Sequence, residues 1–288
     1  MRYVTFEHVG RLGPALLTDE GVMPLLGCAT LLDYLRLDAG VREAVLHEAP
    51  IPFDQVRLLA PLRPHKNVFC VGRNYLGHAE EVAKARGIPL KLPPVPTFFT
   101  KAPTSIADPG QTLHFAADLS TQYDWEAELA VVIGKRCRDV SEADALDVVF
   151  GYTCLNDVTA RDLQQQHQQW FKGKSLDEAC PLGPWIVSAD EIPDPQGLNV
   201  TLRLNGEVKQ QAPTAQMIFD VKAIIASLSR GMTLEPGDII ATGTPDGVGF
   251  ARTPPEFLRD GDTMEVEISG IGVLRNAVAV AAAVTAPA

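Results

Sequence analysis

The chain has 288 residues, of which 46% are hydrophobic and 21% are charged, as expected for one large globular domain with or without a small partner domain. Its formal net charge of −11 argues against nucleic acid and anionic membranes as partners, because phosphate groups are bound by basic surfaces. A small acidic substrate stays possible, since a few local basic residues suffice to bind one. Five cysteines without a Cys-x-x-Cys pair, and an N-terminus without an apolar signal core, favour a cytoplasmic protein with reduced thiols.

Residues 1–62 are expected to form a small N-terminal accessory domain of mixed α and β structure. Short strands are predicted near Tyr3–Phe6 and Ala15–Leu17, and helical patterns begin at Leu31 and Val41. Proline-containing segments then separate this block from the rest of the chain. No pattern typical of a catalytic site occurs in it.

A helix is predicted over residues 76–86, after a buried strand at 67–72 and before Gly87. His78 and Glu81 stand three positions apart on this helix and therefore share a face. A carboxylate beside an imidazole fixes its tautomer and makes it a stronger base, as in a general base that deprotonates water. Taken alone, the pair fits an ordinary charged surface helix better.

Lys101 follows a second predicted buried strand, at residues 97–100, where the chain enters a proline turn. Substrate-facing residues are common at such strand ends, so Lys101 is a candidate substrate contact. A solvated lysine is the alternative interpretation.

Residues 123–134 are predicted to form one β-strand, since they end in a β-branched run closed by Gly134. Glu126 and Glu128 point the same way, because side chains alternate along a strand. Two neighbouring carboxylates repel each other unless a cation lies between them, and a hard divalent cation is the usual solution. The alternative is an edge strand with a solvated charged face.

Asp157 ends the next predicted strand, at residues 148–156, just before a helix predicted over 160–169. It is either a helix cap or a third oxygen ligand. Three carboxylates, completed by water and substrate, suit Mg²⁺ or Mn²⁺, and the sequence has no His/Cys cluster at zinc spacing.

Two further segments invite a phosphate- or anion-binding interpretation. Gly173-Lys174-Ser175 lacks the upstream glycine of a phosphate-binding loop, because the residue at that position is Gln168. The turn at residues 242–249 carries two threonine hydroxyls and backbone N–H groups able to hold an oxyanion, with ordinary turn chemistry as the alternative.

The remaining chain is predicted to be β-rich, with a hairpin turn at Asn205-Gly206, a helix over 220–229, and last strands at 263–268 and from 272. The apolar run at 277–284 is too short to cross a membrane and is predicted to be the end of the last strand.

Six motifs occur in a fixed order along the chain. They are the segments 71–75 with His78 and Glu81, 126–134, 156–162, Lys174-Ser175, 237–240 and 242–245. In this order and spacing the sequence resembles the fumarylacetoacetate hydrolase family, over roughly residues 65–278. The resemblance implies a β-rich α+β fold, with a mixed β-roll catalytic domain at 63–288, usually assembled as a homodimer.

The resemblance also implies a role for each candidate residue. The expected metal ligands are Glu126, Glu128 and Asp157, for Mg²⁺ or Mn²⁺. His78 and Glu81 are the expected catalytic dyad, on a helix that is a mobile lid in the family. Lys174 is expected to polarise the substrate and Gln164 and Thr244 to stabilise an oxyanion, while Arg73, Tyr75 and Lys101 are expected substrate contacts.

The leading functional interpretation is a metal-dependent hydrolase that cleaves a C–C bond in a 2,4-dioxo acid, of the acylpyruvate, fumarylpyruvate or diketo-deoxy sugar acid type. An oxaloacetate decarboxylase and a 2-oxo-diene-dioate isomerase or hydratase are the alternatives within the family. Where no bond breaks, proton transfer by the dyad gives keto–enol isomerisation. A non-catalytic binding protein with a structural metal is the alternative outside enzymes, and the intact His78 and Glu81 argue against it.

Overall fold

The computed structural model describes residues 1–281, with the backbone alone at Ala39. Eighteen strands lie in this range. They are β1 Arg2–His8, β2 Arg11–Thr18, β3 Gly21–Pro24, β4 Arg57–Leu59, β5 Val68–Gly72, β6 Thr97–Lys101, β7 Ile106–Ala107, β8 Thr112–Ala116, β9 Tyr123–Asp124, β10 Ala127–Ile133, β11 Val149–Asn156, β12 Thr159–Ala160, β13 Cys180–Ser188, β14 Asn199–Leu204, β15 Glu207–Pro213, β16 Ile239–Ala241, β17 Thr263–Ile268 and β18 Gly272–Ala281.

The helices are fewer and shorter. The α-helices are α1 Leu31–Arg36, α2 Ala39–Glu43, α3 Leu76–Arg86, α4 Arg161–Gln166, α5 Phe171–Lys174 and α6 Val221–Ser229. Short 3₁₀ helices lie at Phe53–Gln55, Pro103–Ser105, Glu142–Val148, Ala189–Glu191, Pro195–Gly197, Thr214–Gln216 and Gly249–Ala251. No helix within residues 1–281 is long and apolar enough to cross a membrane.

The strands form two large mixed sheets and one small ribbon. The central sheet has 11 strands in the order β3-β2-β1-β13-β11-β10-β16-β5-β6, with β4 added beside β1 and β7 beside β13. The second sheet has the order β15-β14-β17-β18-β8, and β9 pairs with β12. Most pairs are antiparallel, but β16 is parallel to β5, β18 is parallel to β8 and β13 is parallel to β7. This architecture confirms the predicted β-rich α+β fold.

Strand β10 lies at the centre of the core, and every one of its seven residues is buried. Leu129 and Val131 pack on one side, in the cluster that includes the inward face of the second sheet. Ala130 and Val132 pack on the other side, against a second cluster that contains residues of α1. A strand covered on both faces reads as a continuous apolar run, which is why this part of the sequence predicts a strand so clearly.

The N-terminal block continues the central sheet. Strand β1 pairs with β13, with Arg2 opposite Val187 and Tyr3 opposite Ile186. Leucines of α1 lie in the same hydrophobic cluster as Val68 of β5. The division of the chain at residue 62 stays a prediction, while in space the N-terminal block shares a sheet and a core with the residues C-terminal to it.

Several predicted elements are confirmed, and two differ. Helix α3 has the predicted bounds, with Gly87 in the left-handed conformation at its C-terminus. The segment 123–134 is two strands in different sheets, and at the break the backbone N–H of Glu126 donates to the side-chain Oδ1 of Asn156 rather than to a backbone carbonyl of a neighbouring strand. The segment 160–169 is the short α4, which ends at Gln166, followed by a left-handed residue at 168 and then α5. Of the apolar run at 277–284, residues 277–281 belong to β18 and the rest lies outside the described residues.

Candidate active site and metal centre

Three buried carboxylates converge at one end of the central sheet. Glu126, Glu128 and Asp157 each offer an oxygen atom, and these oxygens lie within 4.8 Å of one another. Glu126 immediately precedes β10, Glu128 lies on it, and Asp157 immediately follows β11. Because β10 and β11 are antiparallel and pair Ala127 with Asn156, the start of one strand meets the end of the other. The strand register therefore brings together acids that are about 30 residues apart in the sequence.

Three buried cations hold two of these carboxylates, Glu126 and Asp157, in place. Lys174 Nζ donates to Glu126 Oε2 at 2.6 Å and to Asp157 Oδ2 at 2.7 Å. Lys101 Nζ donates to Asp157 Oδ1 at 2.7 Å and to a backbone carbonyl. The guanidinium of Arg161 lies 2.7 Å from Glu126 Oε1, at an angle too bent for a hydrogen bond, and its Nε donates to Asp124 at 2.8 Å.

The charges in this cluster do not balance. Burial alone would raise the pKa of Glu126, but Lys174 and Arg161 beside it lower that pKa below its ordinary value. Burial raises the pKa of Glu128 well above its ordinary value, and the charges of Asp157 and Glu126 raise it further. Glu128 makes no ion pair with a described side chain, and its Oε2 accepts only the backbone N–H of Gly243, at 2.6 Å. A buried carboxylate in this position calls for one more cation.

The donor set fits a hard divalent metal ion. All three candidate ligands are carboxylates, which suit Mg²⁺ or Mn²⁺, and the cluster holds no thiolate or imidazole ligand of the kind that zinc prefers. Each ligand oxygen that accepts an N–H bond retains a second lone pair for a cation. The buried acidic triad is therefore a candidate divalent-metal site.

The predicted dyad is present on α3. His78 Nδ1 lies 2.8 Å from Glu81 Oε1, so Nδ1 donates to the carboxylate and Nε2 carries the free lone pair. Glu81 Oε2 accepts the backbone N–H of Gly247 at 2.8 Å, which joins α3 to the turn at residues 242–249. His78 is buried and lines the same pocket as the carboxylates.

The glycine-rich turn uses its N–H groups differently from the sequence-based expectation. The N–H of Gly243 donates to Glu128, and that of Gly247 donates to Glu81. Both acceptors are carboxylates of the site itself rather than a bound oxyanion. The turn thus positions one metal-ligand candidate and one member of the dyad.

A single pocket collects most of the candidate residues. It is lined by Val71, Gly72, Arg73, His78, Val82, Arg86, Phe99, Glu126, Glu128, Arg161, Gln164, Trp170, Lys174, Thr244 and Phe250. Seven predicted residues are among them: Arg73, His78, Glu126, Glu128, Gln164, Lys174 and Thr244. Glu81 and Asp157 stand directly behind this wall, in contact with His78 and Lys174.

Two predicted substrate contacts do not line the pocket. Lys101 is fully buried and its ammonium group is bound to Asp157, so the structure places it behind the metal-ligand candidate. Tyr75 is 1% exposed and packs in the hydrophobic core, and its hydroxyl has no hydrogen-bond partner among the described residues. Burial and the nearby charge of Glu128 raise its pKa. Because Lys101 is bonded to Asp157, we propose that it positions this metal-ligand candidate.

Several functional candidates are not predicted from the sequence. Arg161 lies in a segment that carries the family resemblance, yet no role was expected for it, although its guanidinium joins two carboxylates of the site. Asp124 accepts from Arg161 and from two backbone N–H groups after the glycine-rich turn. The aromatic wall formed by Trp170 and Phe250 has no sequence signal, because Trp170 lies just before the short α5 and Phe250 lies in a three-residue 3₁₀ turn.

The chain is similar in sequence and in structure to proteins of one known family. The family model described as "Fumarylacetoacetate (FAA) hydrolase C-terminal" matches residues 67–279. Oxaloacetate tautomerase YisK of Bacillus subtilis is 48% identical over 223 residues, which are 77% of this chain and 73% of that protein. The mitochondrial oxaloacetate tautomerase FAHD2A of Bos taurus is 42% identical over 96% of this chain and 91% of its own length. A solved fumarylacetoacetate hydrolase from Exiguobacterium antarcticum superposes with a TM-score of 0.82 at 42% identity, covering 97% of this chain and 99% of that one.

Proposed function

The chain belongs to the fumarylacetoacetate hydrolase family, and on that basis we propose that it is a divalent-metal-dependent tautomerase that interconverts the keto and enol forms of oxaloacetate. The observation that carries the proposal is its 48% identity, over 77% of the chain, to a protein named as an oxaloacetate tautomerase. The hydrolase predicted first from the sequence becomes the second candidate, because the two curated relatives compared above are both named as tautomerases.

The pocket offers the groups that this reaction needs. Glu126, Glu128 and Asp157 would hold Mg²⁺ or Mn²⁺, which would supply a Lewis acid to polarise the 2-oxo group and acidify the C3 protons of the substrate. The positive charge of such a cation would offset the unpaired negative charge of the carboxylate cluster and would favour binding of a dianion. The arginines and Lys174 along the pocket add to that attraction.

His78 is proposed to move the proton. Its Nδ1 is held by Glu81, which leaves Nε2 to accept a proton from C3 and to return it to the oxygen of the enolate. In the reverse direction the same atom takes the enol proton and delivers it to C3. One imidazole is sufficient for both directions, because tautomerisation moves a single proton and breaks no C–C bond.

Lys174 and Gln164 are proposed to stabilise the negative charge that develops on the oxygen. Two of the three ammonium protons of Lys174 are donated to Glu126 and Asp157, and the third remains for the substrate. Burial lowers the pKa of Lys174, but Asp157 and Glu126 raise it above its ordinary value overall, so the group stays charged. The hydroxyl of Thr244 donates to the carbonyl of Ala127, which assigns Thr244 to positioning rather than to donation.

The same groups support the second candidate reaction. His78 would deprotonate water instead of C3, and hydroxide attack on a carbonyl would cleave a 2,4-dioxo acid into two acids. Decarboxylation of oxaloacetate would instead break the C3–C4 bond, release CO₂ and leave the enolate of pyruvate, which the same groups would stabilise until it is protonated. Products therefore separate the three reactions, whereas the residues do not. The homodimer and the cytoplasmic location expected from the sequence remain predictions.

The test is an ultraviolet assay of the enol of oxaloacetate as it relaxes to the keto form, with Mg²⁺, Mn²⁺ or EDTA. We expect metal-dependent acceleration above the spontaneous rate, with no CO₂ and no new acids by NMR. His78→Asn should lower the rate about 10²- to 10⁴-fold, the usual contribution of a general base, while His65→Asn, at an exposed position outside this pocket, should leave it unchanged. No acceleration by the wild-type protein, or cleavage products in place of the keto form, would refute the proposal.

A further inference from the structure

Three guanidinium groups line the catalytic pocket, and they are not equivalent. Those of Arg73, Arg86 and Arg161 all contribute to its wall. Arg161 is neutralised by Asp124 and Glu126. Arg73 and Arg86 make no ion pair with any carboxylate of the described chain, so two positive charges at the pocket remain uncompensated.

Arg73 is held in a fixed position by the body of the protein. It follows β5 in the left-handed conformation, with a φ of 55°, and its guanidinium lies over the ring of Trp170 at 5.7 Å. Its Nε is buried and has no hydrogen-bond partner among the described residues. A buried donor without an acceptor is costly, and an anionic ligand would satisfy it.

Arg86 reaches the pocket from a different element, as the last residue of α3. It borders both the catalytic pocket and an adjoining groove lined by Gln122, Gln165 and Gln168. Partial burial lowers the pKa of Arg86, and the nearby charges of Arg161 and Arg73 lower it further. Like charges gathered in this way repel one another until an anion binds between them.

Helix geometry explains how Arg86 serves the same substrate as His78. Eight residues separate the two, which is about 12 Å along the helix axis and about 80° around it. Helical side chains tilt toward the N-terminus, so the long arginine side chain reaches back over the pocket. Its guanidinium comes to lie 6.0 Å from the ring of Phe250, which also lies under Arg161.

We propose that Arg86, together with Arg73, binds the distal carboxylate of a dianionic 2-oxo acid, and that Arg86 is the residue that selects dicarboxylates over monocarboxylates. The proposal rests on the proposed function only for the identity of the substrate. The end of the substrate that reacts faces His78 and the acidic triad, while the distal carboxylate faces the two unpaired guanidinium groups. Because Arg86 and His78 lie on one helix, a distal carboxylate also ties that helix to the pocket floor through Arg73.

Binding of two non-reactive ligands tests this assignment. 3,3-Difluoro-oxaloacetate carries the distal carboxylate and has no C3 proton, so it binds without turnover. 3,3-Difluoro-2-oxobutanoate differs in having a methyl group in place of that carboxylate. Both are titrated calorimetrically into Mg²⁺-loaded wild type, Arg86→Gln and Lys84→Gln. Lys84 is the matched control, since it is an exposed cation on the same helix that does not line the pocket.

We expect Arg86→Gln to weaken difluoro-oxaloacetate about 10-fold or more, as for loss of one charge-assisted hydrogen bond, and to leave difluoro-oxobutanoate unchanged. Lys84→Gln should leave both affinities unchanged. Equal weakening of both ligands by Arg86→Gln, no weakening of either, or the same loss in Lys84→Gln would overturn the assignment. If wild type fails to tautomerise oxaloacetate but shows the selective loss, the proposed function falls and the role of Arg86 stands.

Discussion

Glu128 is the residue whose charge is least compensated in the site. Burial and the neighbouring carboxylates raise the pKa of Glu128. When no cation is bound and the pH lies above the ordinary carboxyl range, its ionised form therefore destabilises the folded chain. The neighbouring Glu126 behaves in the opposite way, because Lys174 and Arg161 lower its pKa. The site thus separates a carboxylate whose charge the protein itself compensates from one whose charge is removed by a proton or compensated by an added cation.

Glu128→Gln should therefore abolish metal-induced stabilisation without destabilising the metal-free protein. The amide keeps the shape of the side chain and an oxygen for the N–H of Gly243, while the buried charge disappears. In wild type, a metal at 100 times its dissociation constant should add about 2.7 kcal/mol to the free energy of unfolding. In the variant we expect no rise of Tm with Mg²⁺ or Mn²⁺, and in EDTA a Tm equal to or above that of wild type.

Thermal unfolding with EDTA and with each metal measures both effects. Glu43→Gln removes an exposed carboxylate from α2 and should retain the full metal response. A normal metal response in Glu128→Gln would remove Glu128 from the ligand set.

At the scale of single residues, the sequence predicts the acids better than the cations that hold them. Glu126, Glu128 and Asp157 stand out because acids clustered near the ends of apolar strands repel one another unless a cation joins them. Lys101 does not stand out in this way, since a lysine at a strand end suits substrate, solvent or an ion pair equally well. Only the three-dimensional structure shows that its ammonium group is bound to Asp157, which is distant in sequence.

Helix α3 is the element that connects catalysis with conformation. Glu81 bonds to His78 through one oxygen and to the N–H of Gly247 through the other. The same carboxylate therefore orients the imidazole and fixes the helix against the glycine-rich turn. A movement of α3 away from the turn would break the bond between Glu81 and Gly247, which helps to hold the carboxylate in place beside His78.

Glu81→Gln should consequently reduce turnover while leaving the fold and metal binding intact. The side-chain oxygen of glutamine can accept from either His78 or the N–H of Gly247, but not from both as the two carboxylate oxygens do. Its NH₂ group faces the other donor, and that hydrogen bond is lost. We expect kcat to fall by about 10-fold or more, the effect of losing about 1.5 kcal/mol from one bond to a charged group, with Tm in the metal-loaded state within about 2 °C of wild type.

Glu80→Gln is the matched control for this change, because Glu80 is the exposed neighbour on the same helix. Its kcat should equal that of wild type. Unchanged turnover in Glu81→Gln would show that the carboxylate is not needed for the dyad.

At the scale of elements, long periodic segments are predictable and local breaks are not. The bounds of α3 can be predicted from its sequence because a glycine ends the helix and a proline-rich loop comes next. The break at residues 125–126 cannot, because it depends on the side chain of Asn156, which is distant in sequence, taking the N–H of Glu126. That break matters for function, since it releases Glu126 from the strand pattern and leaves its carboxylate to Lys174 and Arg161.

The whole molecule is organised by strand pairs that join distant parts of the chain. β10 and β11 bring the metal-ligand candidates together, and β1 on β13 attaches the N-terminal block to the same sheet. Sequence patterns identify most of these strands but not the strands with which each one pairs, because pairing depends on contacts between residues that are distant in the sequence. The sequence therefore predicts a separate accessory block, although its helix α1 packs on the central sheet.

The packing of α1 can be tested at Gly237, in the turn that leads into β16 of the central sheet. A Cβ at this position, where φ is +89°, would lie 2.2 Å from Leu32 Cδ1 of α1. Gly231 has a similar φ of +73° but open space around it, so Gly231→Ala measures the backbone strain alone, about 1–3 kcal/mol. Gly237→Ala should cost about 1–3 kcal/mol more than Gly231→Ala, as overpacking of a core contact does. Leu32→Ala, combined with Gly237→Ala, should remove that excess, so the double variant should be more stable than the two separate losses predict. Urea unfolding of the single and double variants gives these free energies, and equal losses at the two glycines would show that α1 does not pack against the central sheet in this way.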